Sequence, residues 1–257
     1  MKQAYQAYPI FLLSLLLVLV SCGSQNAPTA QVATPEPTVP PVPKTPNIPS
    51  RLVSFTTSDH IKLVGLLYGK GTTMVICSHM NESSLADWRE SGIPERLAAL
   101  GYQVLIYNFR GDGDSQGDPD ITVLDVDLTA AVNFSHQQGA TKIVLMGASM
   151  GGTASLNVAM TQKVAAIVSL SGPQAFGVNV TDADLKKMTT PKLFLDTQDD
   201  EPFVSDAKHM YAVSAVPKEI SIYPGQDHGT ALLRGNSGDA PALRILHFIQ
   251  QYAPATS

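Results

Sequence analysis

The chain has 257 residues, of which 44% are hydrophobic and 15% are charged, and its formal net charge is −5. After Lys2 the sequence contains no basic cluster that could follow a phosphate backbone, so the charge pattern argues against nucleic acid as a partner. About 200 residues follow a compositionally distinct N-terminal stretch, which is enough for one domain with a substantial hydrophobic core.

The first apolar run covers residues 10–20, which read IFLLSLLLVLV and carry no charge. A run of about eleven residues is too short to cross a hydrocarbon core of about 30 Å as a helix, but it fits the hydrophobic region of a secretory signal. The run ends in LVSC at Cys22, and this tetrapeptide resembles the bacterial lipobox. The resemblance implies that residues 1–21 are a signal peptide and that Cys22 carries a diacylglyceryl lipid as the new N-terminus.

The segment after Cys22 is rich in proline, threonine, alanine and valine and shows no apolar periodicity up to Ser50. Such a segment cannot bury enough apolar surface to offset its chain entropy, so we expect residues 22–50 to form an extended tether. Two acyl chains on one cysteine are sufficient for stable anchoring to a membrane. We therefore expect a lipid-anchored protein of the bacterial cell envelope, with residues 51–257 folded on the extracytoplasmic side. The alternative is an ordinary signal peptide with a chance cysteine.

From Arg51 onward, short β-rich runs alternate with longer helical stretches. The runs RLVSFTT and IKLVGLLY predict an opening hairpin, and TMVICS, YQVLIYN, KIVLMG, VAAIVSL, KLFLD and KEISIY predict buried strands. The helical candidates are residues 87–100, 121–137, 149–161, 204–215 and 240–252. This alternation predicts an α/β domain with a mostly parallel sheet of about eight strands, covered by helices on both faces. The short stretch 171–190 leaves room for a small cap at most.

A G-x-S-x-G arrangement surrounds Ser149, directly after the strand KIVLM and before a helix-forming run. In a strand–turn–helix setting this arrangement forms a tight elbow, in which glycines two residues to either side of the serine avoid side-chain collisions. The serine hydroxyl then points out of the sheet at the N-terminus of a helix, where developing negative charge is favoured. Ser149 is therefore the predicted nucleophile.

A serine nucleophile needs a base within reach, normally a histidine that is oriented by a carboxylate. His228 lies in a glycine-containing loop after the last predicted strand, whereas His209 and His247 lie inside predicted helices. Because the acid precedes the histidine in proteins with this elbow, the acid should follow the strand KLFLD. Asp199 and Asp200 both lie there, and the residue pattern leaves the choice between them open.

Together these features resemble the α/β-hydrolase superfamily, in particular its esterase and dienelactone-hydrolase-like members, over essentially all of residues 51–257. Besides the elbow, the resemblance rests on the segment NFRGDGDS after the fourth strand and on the closing segment HGTALL. It implies serine-hydrolase chemistry, and the pattern that begins at Pro191 places the acid on Asp200. The aspartates of the next predicted helix, Asp125 and Asp127, suit the helix dipole and need no catalytic role.

An oxyanion hole needs two backbone N–H donors, and the first is expected from Met150, the residue after the nucleophile. After the strand TMVICS this sequence has His79-Met80 where the family usually has a His-Gly pair. The second donor is therefore expected from either Met80 or Asn81. Since Met150 would contribute only its backbone N–H to the hole, its side chain is available to wall the acyl pocket.

These residues predict a serine hydrolase that cleaves the carboxylic ester of a small-molecule acyl substrate through an acyl-enzyme intermediate, without a metal or an organic cofactor. A serine peptidase or amidase on the same fold is the nearest alternative, because the triad does not distinguish an ester from an amide. A surface binding protein that keeps the fold without turnover is the alternative from another functional class. Labelling by a fluorophosphonate, which needs an activated serine, separates the enzymes from the binding protein.

Overall fold

The computed structural model describes residues 46–234 and 239–256, so the predicted signal peptide, Cys22 and the tether up to residue 45 lie outside the described residues. The strands are β1 (Ser50–Thr56), β2 (Lys62–Gly69), β3 (Thr73–Ser78), β4 (Gln103–Tyr107), β5 (Lys142–Ala148), β6 (Ala166–Leu170), β7 (Ala175–Phe176), β8 (Val178–Asn179), β9 (Lys192–Thr197) and β10 (Lys218–Tyr223). The helices are α1 (Leu85–Ser91), α2 (Ile93–Ala99), α3 (Leu124–Gln137), α4 (Met150–Val158), α5 (Asp182–Lys187), α6 (Phe203–Val213) and α7 (Ala240–Tyr252). Short 3₁₀ helices cover Ile121–Val123 and Gly229–Leu233.

Eight of these strands form one sheet in the order β1-β2-β4-β3-β5-β6-β9-β10. β2 pairs antiparallel with β1 and with β4, and all the other neighbouring strands of this sheet are parallel. All six residues of the central strand β3 are buried, as expected for a strand that is covered on both faces. The predicted mostly parallel sheet with its opening hairpin is therefore confirmed.

The two faces of the sheet are covered by different sets of helices. α3, α4 and α6 contribute buried side chains such as Leu128 and Met210 to the core on one face. α1, α2 and α7 contribute buried side chains such as Trp88 and Phe248 to the core on the other face. Burial of apolar surface at about 25 cal/mol per Å² on both faces holds the sheet rigidly, so that the loops at its carboxyl edge have fixed starting points.

One predicted helix, residues 87–100, is two helices in the structure. α1 ends at Ser91, and Gly92 has a left-handed backbone with φ of 68°. The N–H of Gly92 bonds to the carbonyl of Arg89, and Pro94 lies in the first turn of α2. Glycine at a helix C-terminus and proline at a helix start are each favourable for local reasons, so the break lies where the local chemistry puts it.

Between β6 and β9 the chain forms only the two-residue strands β7 and β8 and the six-residue helix α5. α5 begins with a reciprocal capping box between Thr181 and Asp184. This small addition agrees with the limited room that the sequence left for a cap. Between residues 46 and 256, apart from the undescribed stretch 235–238, none of the helices has the length and hydropathy of a membrane span.

Candidate active site

Ser149 stands at the point where β5 ends and α4 begins. Its backbone has φ of 48° and ψ of −116°, a conformation that is costly for a residue with a side chain. The Ser149 N–H bonds to the carbonyl of Leu170 in the neighbouring strand at 2.8 Å, and the residue is 7% exposed. The strained backbone is thus tied to the sheet, and the helix N-terminus lies directly beneath the serine.

Steric crowding explains the two glycines of the elbow. A β-carbon on Gly147 would lie 2.0 Å from the carbonyl oxygen of Gly151, and one on Gly151 would lie 2.3 Å from the carbonyl oxygen of Ser78. Both distances are far below van der Waals contact and both involve backbone atoms, which cannot turn aside. The sequence therefore needs glycine at both positions to bring the elbow against the end of β3.

Asp200 and His228 meet in the loops that follow β9 and β10. Oδ2 of Asp200 lies 2.8 Å from Nδ1 of His228, and the side chains are 8% and 31% exposed, respectively. Burial alone would raise the pKa of Asp200, but the hydrogen bonds with His228 and Asp196 lower it below its ordinary value. An ionised carboxylate only accepts hydrogen bonds, so Nδ1 of His228 is the donor in this contact. Asp199 is exposed and does not share this contact.

The loop of His228 packs directly against the elbow. A β-carbon on Gly229, which has φ of 56°, would lie 3.4 Å from the β-carbon of Ala148 and 2.3 Å from the sulfur of Met80. Gly229, which follows His228, therefore lies against Ala148, which precedes Ser149. Among the described residues the Ser149 hydroxyl makes no hydrogen bond. The ring of Phe203, 4.2 Å away between centroids, packs against the imidazole of His228.

A buried polar network lies behind this pair and includes Ser171 and Asp196, whose contact was not predicted from the sequence. The Ser171 hydroxyl donates to Oδ1 of Asp196 at 3.0 Å and accepts the N–H of Gly229 at 3.0 Å. Both side chains are fully buried. Ser171 directly follows β6 and Asp196 lies at the end of β9, so the rule that polar groups gather at the carboxyl edge of a parallel sheet could have found them.

The peptide that follows β3 is held by His79. Nε2 of His79 accepts the N–H of Phe109 at 3.0 Å, so the proton is on Nδ1, which donates to the carbonyl of Met80 at 2.6 Å. Burial lowers the pKa of His79 to about 4, so the ring is neutral and its 3.7 Å approach to Asp112 is not an ion pair. His79 is therefore a buried neutral group that fixes the direction of the Met80 carbonyl.

This direction distinguishes the two candidate oxyanion donors. In a trans peptide the C=O and the N–H point to opposite sides, so a Met80 carbonyl that faces His79 turns the N–H of Asn81 away from the protein interior. Within the described part of the chain, no group accepts a hydrogen bond from the N–H of Met150, Met80 or Asn81. Met150 and Asn81 both line one cavity of about 110 Å³, which Met80 does not line.

The walls of that cavity mix apolar and charged side chains. Its remaining lining consists of Glu82, Phe109, Arg110, Asp112, Pro119, Asp120, Ile121 and Leu124. The volume is well below the roughly 300 Å³ or more that is typical for pockets that enclose a drug-sized ligand. The lining includes Met150 of the elbow but neither Ser149 nor His228, and the cavity has room for a small group only.

The segment NFRGDGDS is held together by a buried ion pair. Arg110 binds Oδ1 of Asp127 through Nε at 2.9 Å and through Nη2 at 2.6 Å, and its backbone N–H binds Oδ2 of Asp127 at 2.9 Å. Asp59 binds the outer edge of the same guanidinium. Asp127 is fully buried, so its main interaction is with Arg110 rather than with the helix dipole. The sequence did not predict this pair because the two residues are 17 positions apart in the chain.

Other candidates from the sequence lie elsewhere in the fold. His209 contacts Asp182 at an exposed position, and His247 is exposed on α7. Among the described residues, no three side chains of the metal-binding types come together in one group. The structure therefore brings Asp200 and His228 together at the elbow and leaves these two histidines apart from it.

Comparisons with known proteins agree with this architecture. A family model described as the alpha/beta hydrolase fold matches residues 72–206. An esterase from Pyrococcus furiosus has a TM-score of 0.69 and 19% identity, with 80% of this chain and 93% of that chain covered. A dienelactone hydrolase from Anabaena variabilis has a TM-score of 0.64 and 22% identity, with 80% and 98% covered. A search of curated proteins found no match.

The matched segment extends from just before β3 into α6 and so contains the elbow and the Asp200 loop. It covers more than half of the chain. The chain belongs to the alpha/beta hydrolase fold family.

Proposed function

We propose that this protein is a serine hydrolase that cleaves carboxylic esters, with Ser149 as nucleophile, His228 as general base and Asp200 as orienting acid. The observation that carries the proposal is the 2.8 Å hydrogen bond between Asp200 and His228 in a loop that packs against the strained serine elbow. The esterase and the dienelactone hydrolase among the similar structures support an ester as the substrate class.

In the proposed reaction Nε2 of His228 removes the proton of the Ser149 hydroxyl as the oxygen attacks the acyl carbon. The imidazolium then gives this proton to the leaving alcohol oxygen, and an acyl-enzyme remains. Water, activated by the same nitrogen, hydrolyses the acyl-enzyme and restores the serine. Asp200 keeps Nδ1 protonated throughout, so that Nε2 always faces the reacting atoms.

We assign the oxyanion hole to the backbone N–H groups of Met150 and Asn81. The Asn81 N–H is preferred to that of Met80 because His79 holds the Met80 carbonyl toward the interior and because Asn81 shares the cavity with Met150. Loss of one such donor typically costs about 3 to 4 kcal/mol of transition-state stabilisation. The neutral, buried His79 therefore contributes indirectly, because its hydrogen bond to the Met80 carbonyl orients the N–H of Asn81.

The small cavity beside Met150 suggests that short acyl groups are preferred. A cavity of about 110 Å³ holds a few carbon atoms, and longer chains would have to extend into solvent or displace its walls. We expect kcat/KM to fall as the acyl chain of a p-nitrophenyl ester becomes longer than butyryl. A rate that rises steadily up to long acyl chains would contradict the assignment of this cavity to the acyl group.

Labelling and a substrate panel test the proposed function. A fluorophosphonate should modify the folded protein at Ser149, as located by peptide mass spectrometry, and the His228→Ala variant should label much more slowly. Absence of labelling would favour a binding protein. If labelling occurs but aminoacyl amides are cleaved faster than esters, the protein is a peptidase or amidase on the same fold.

We also propose that Cys22 anchors the protein in a membrane of the bacterial cell envelope through a diacylglyceryl group. The support is the LVSC sequence after an uncharged run and the proline-rich tether before β1. Cys22→Ser should leave the precursor unprocessed or release the protein from the membrane fraction. Mass spectrometry of the mature wild-type protein should find the lipid on Cys22, and its absence there would disprove the anchor.

A further inference from the structure

A second carboxyl group lies directly behind the Asp200–His228 pair. Asp196 is fully buried at the end of β9, and its carboxyl group lies close enough to that of Asp200 for each to shift the pKa of the other. Two ionised carboxylates in contact repel each other, so a contact of this kind is favourable only when one proton is shared. Protonation of one of the two groups removes this repulsion.

The hydrogen bonds around Asp196 show where that proton can lie. Oδ1 accepts the Ser171 hydroxyl at 3.0 Å and the N–H of Thr197 at 2.8 Å. Oδ2 is buried and has no hydrogen-bond donor within residues 46–234 and 239–256. A buried carboxyl oxygen without a donor is costly when ionised but can itself donate when it carries a proton.

The environment assigns the proton to Asp196 rather than to Asp200. Burial, followed by the contact with Asp200, raises the pKa of Asp196 to about 8. Asp200 has His228 as a donor to its carboxylate, and this bond together with Asp196 lowers its pKa against the effect of burial. At neutral pH the pair is therefore a neutral Asp196 beside an ionised Asp200.

Other charged groups on the elements packed against β9 are engaged or turned elsewhere. On β10, Lys218 bonds the Ala212 carbonyl, Glu219 pairs with Arg244 of α7, and Tyr223 is in register with Thr197 rather than with Asp196. On α6, Asp206 accepts the Gln174 N–H, His209 contacts Asp182 and Tyr211 lies under Lys218, while Lys208 is exposed. On α7, Tyr252 packs on Phe248 and His247 is exposed. β6 and the 3₁₀ helix after His228 carry no titratable side chain. Asp200 is thus the charged group that acts on Asp196.

We propose that Asp196 is a positioning residue that keeps its proton at neutral pH and donates it in a hydrogen bond to Asp200, which holds that carboxylate against His228. The Ser171 hydroxyl extends the same network to the N–H of Gly229 and so to the His228 loop. This inference rests on the proposed function, because Asp196 acts on the reaction only through Asp200 and His228. Loss of the shared proton at alkaline pH makes the two carboxylates repel each other and releases the imidazole from its orientation.

Two substitutions at Asp196 test whether the residue needs a hydrogen-bond donor that faces Asp200. In Asp196→Asn the amide NH₂ donates to Asp200 at every pH, while the amide oxygen still accepts from Ser171 and Thr197. In Asp196→Ala no donor remains. We expect Asp196→Ala to lower kcat by about 10- to 100-fold with little change in KM, and Asp196→Asn to recover at least about tenfold of that loss.

The pH profile distinguishes positioning from a structural role. For the wild type, kcat should fall at least about tenfold between about pH 7 and about pH 10, with a midpoint near the pKa of Asp196, and Asp196→Asn should lack this decline. An unchanged alkaline decline in Asp196→Asn, or full activity in a folded Asp196→Ala protein, would overturn the proposal. Circular dichroism and thermal unfolding establish which variants are folded.

A readout that needs no turnover keeps this test separate from the proposed function. The infrared C=O stretch of a buried protonated carboxyl group should be present in the wild type at neutral pH, disappear at alkaline pH, and be missing from Asp196→Asn. Absence of a titrating band that depends on Asp196 would overturn the inference even if the wild type is an active esterase. If the band is present but no ester is hydrolysed, the proposed function fails and the shared proton stands.

Discussion

The elbow around Ser149 and the two loops that carry Asp200 and His228 meet at the same edge of the sheet, but different forces hold them. At the elbow the backbone is forced into place by close packing, since the glycines approach carbonyl oxygens to distances that no side chain allows. The two loops are held by hydrogen bonds among titratable and hydroxyl groups: Asp196, Ser171, Asp200 and His228. We therefore expect the geometry of the elbow to depend on side-chain size, and the geometry of the two loops to depend on the protonation of their polar groups.

This difference predicts how each half fails. A substitution at the elbow should act by steric collision and should be insensitive to pH. A substitution in the loop network should leave the backbone in place and change the rate, the pH dependence or both.

The largest effect is expected from removal of the nucleophile itself. Ser149→Ala should lower kcat for short activated esters by about 10⁶-fold, because no other group at the elbow can form the acyl-enzyme. The variant should fold normally, since alanine keeps the β-carbon and Ser149 makes no side-chain hydrogen bond among the described residues. Steady-state kinetics on purified protein with a matched circular dichroism spectrum measures this, and substantial residual turnover would rule out Ser149.

The next largest effect is expected from the acid. Asp200→Asn should cut turnover by up to about 10⁴-fold, because an amide in place of the carboxylate no longer selects the correct imidazole tautomer. Its neighbour is a matched control: Asp199 is exposed and makes no contact with His228, so Asp199→Asn should cost less than about tenfold. If the two variants rank in the reverse order, the orienting role belongs to Asp199.

Crowding at the elbow should produce a smaller loss of rate with a loss of stability. Gly151→Ala places a methyl group about 2.3 Å from the Ser78 carbonyl oxygen, so the elbow must shift. We expect about 3 kcal/mol less stability in urea unfolding and about 100-fold lower kcat/KM, equally at pH 7 and pH 9.

Gly139→Ala is the control for this prediction. Gly139 also is a glycine next to a helix end, but a β-carbon there would have no atom within 4 Å. Its φ of +90° adds backbone strain of about 1 to 2 kcal/mol without affecting the site. Equal losses of activity in both variants would mean that steric contact with β3 is not what shapes the elbow.

The smallest effect on rate is expected from the ion pair that supports the cavity wall. Asp127→Asn leaves the buried Arg110 with one carboxylate fewer, which should cost about 3 kcal/mol of stability and less than about tenfold in kcat. Asp125→Asn, on the same turn of α3, is the control and should change stability by less than about 0.5 kcal/mol. Guanidinium unfolding curves decide between them, and equal stabilities would show that the pair contributes nothing.

Much of the fold follows from local patterns in the sequence. The alternation of apolar β-rich runs and helical stretches predicted the sheet, the hairpin of β1 and β2 and the bounds of α7, because each pattern depends on residues that are near one another in the chain. The break at Gly92 was missed because a single glycine inside a helical pattern is tolerated as often as it ends a helix. The membrane anchor at Cys22 stays a prediction.

The candidate site also combines features that the sequence predicts with features that only the structure shows. The elbow at Ser149 could be located from the sequence because its glycines and its strand and helix are contiguous, and the order of the chain pointed to His228. The residue pattern left the choice between Asp199 and Asp200 open, and the resemblance to the α/β-hydrolase superfamily placed the acid on Asp200. In the structure it is Asp200 that meets the imidazole of His228. The roles of these residues in catalysis stay predictions until the variants are measured.

Periodicity and short motifs in the sequence were enough to predict the class of fold, the elbow around Ser149 and the loops that carry Asp200 and His228. The folded chain was needed to show that Asp196 lies near Asp200, that Ser171 links Asp196 to the His228 loop and that Arg110 is paired with Asp127. The Arg110–Asp127 pair and the two contacts of Ser171 join residues 17 to 58 positions apart. They form because parallel strands bring the ends of distant segments to one edge of the sheet, where burial forces polar groups to find one another.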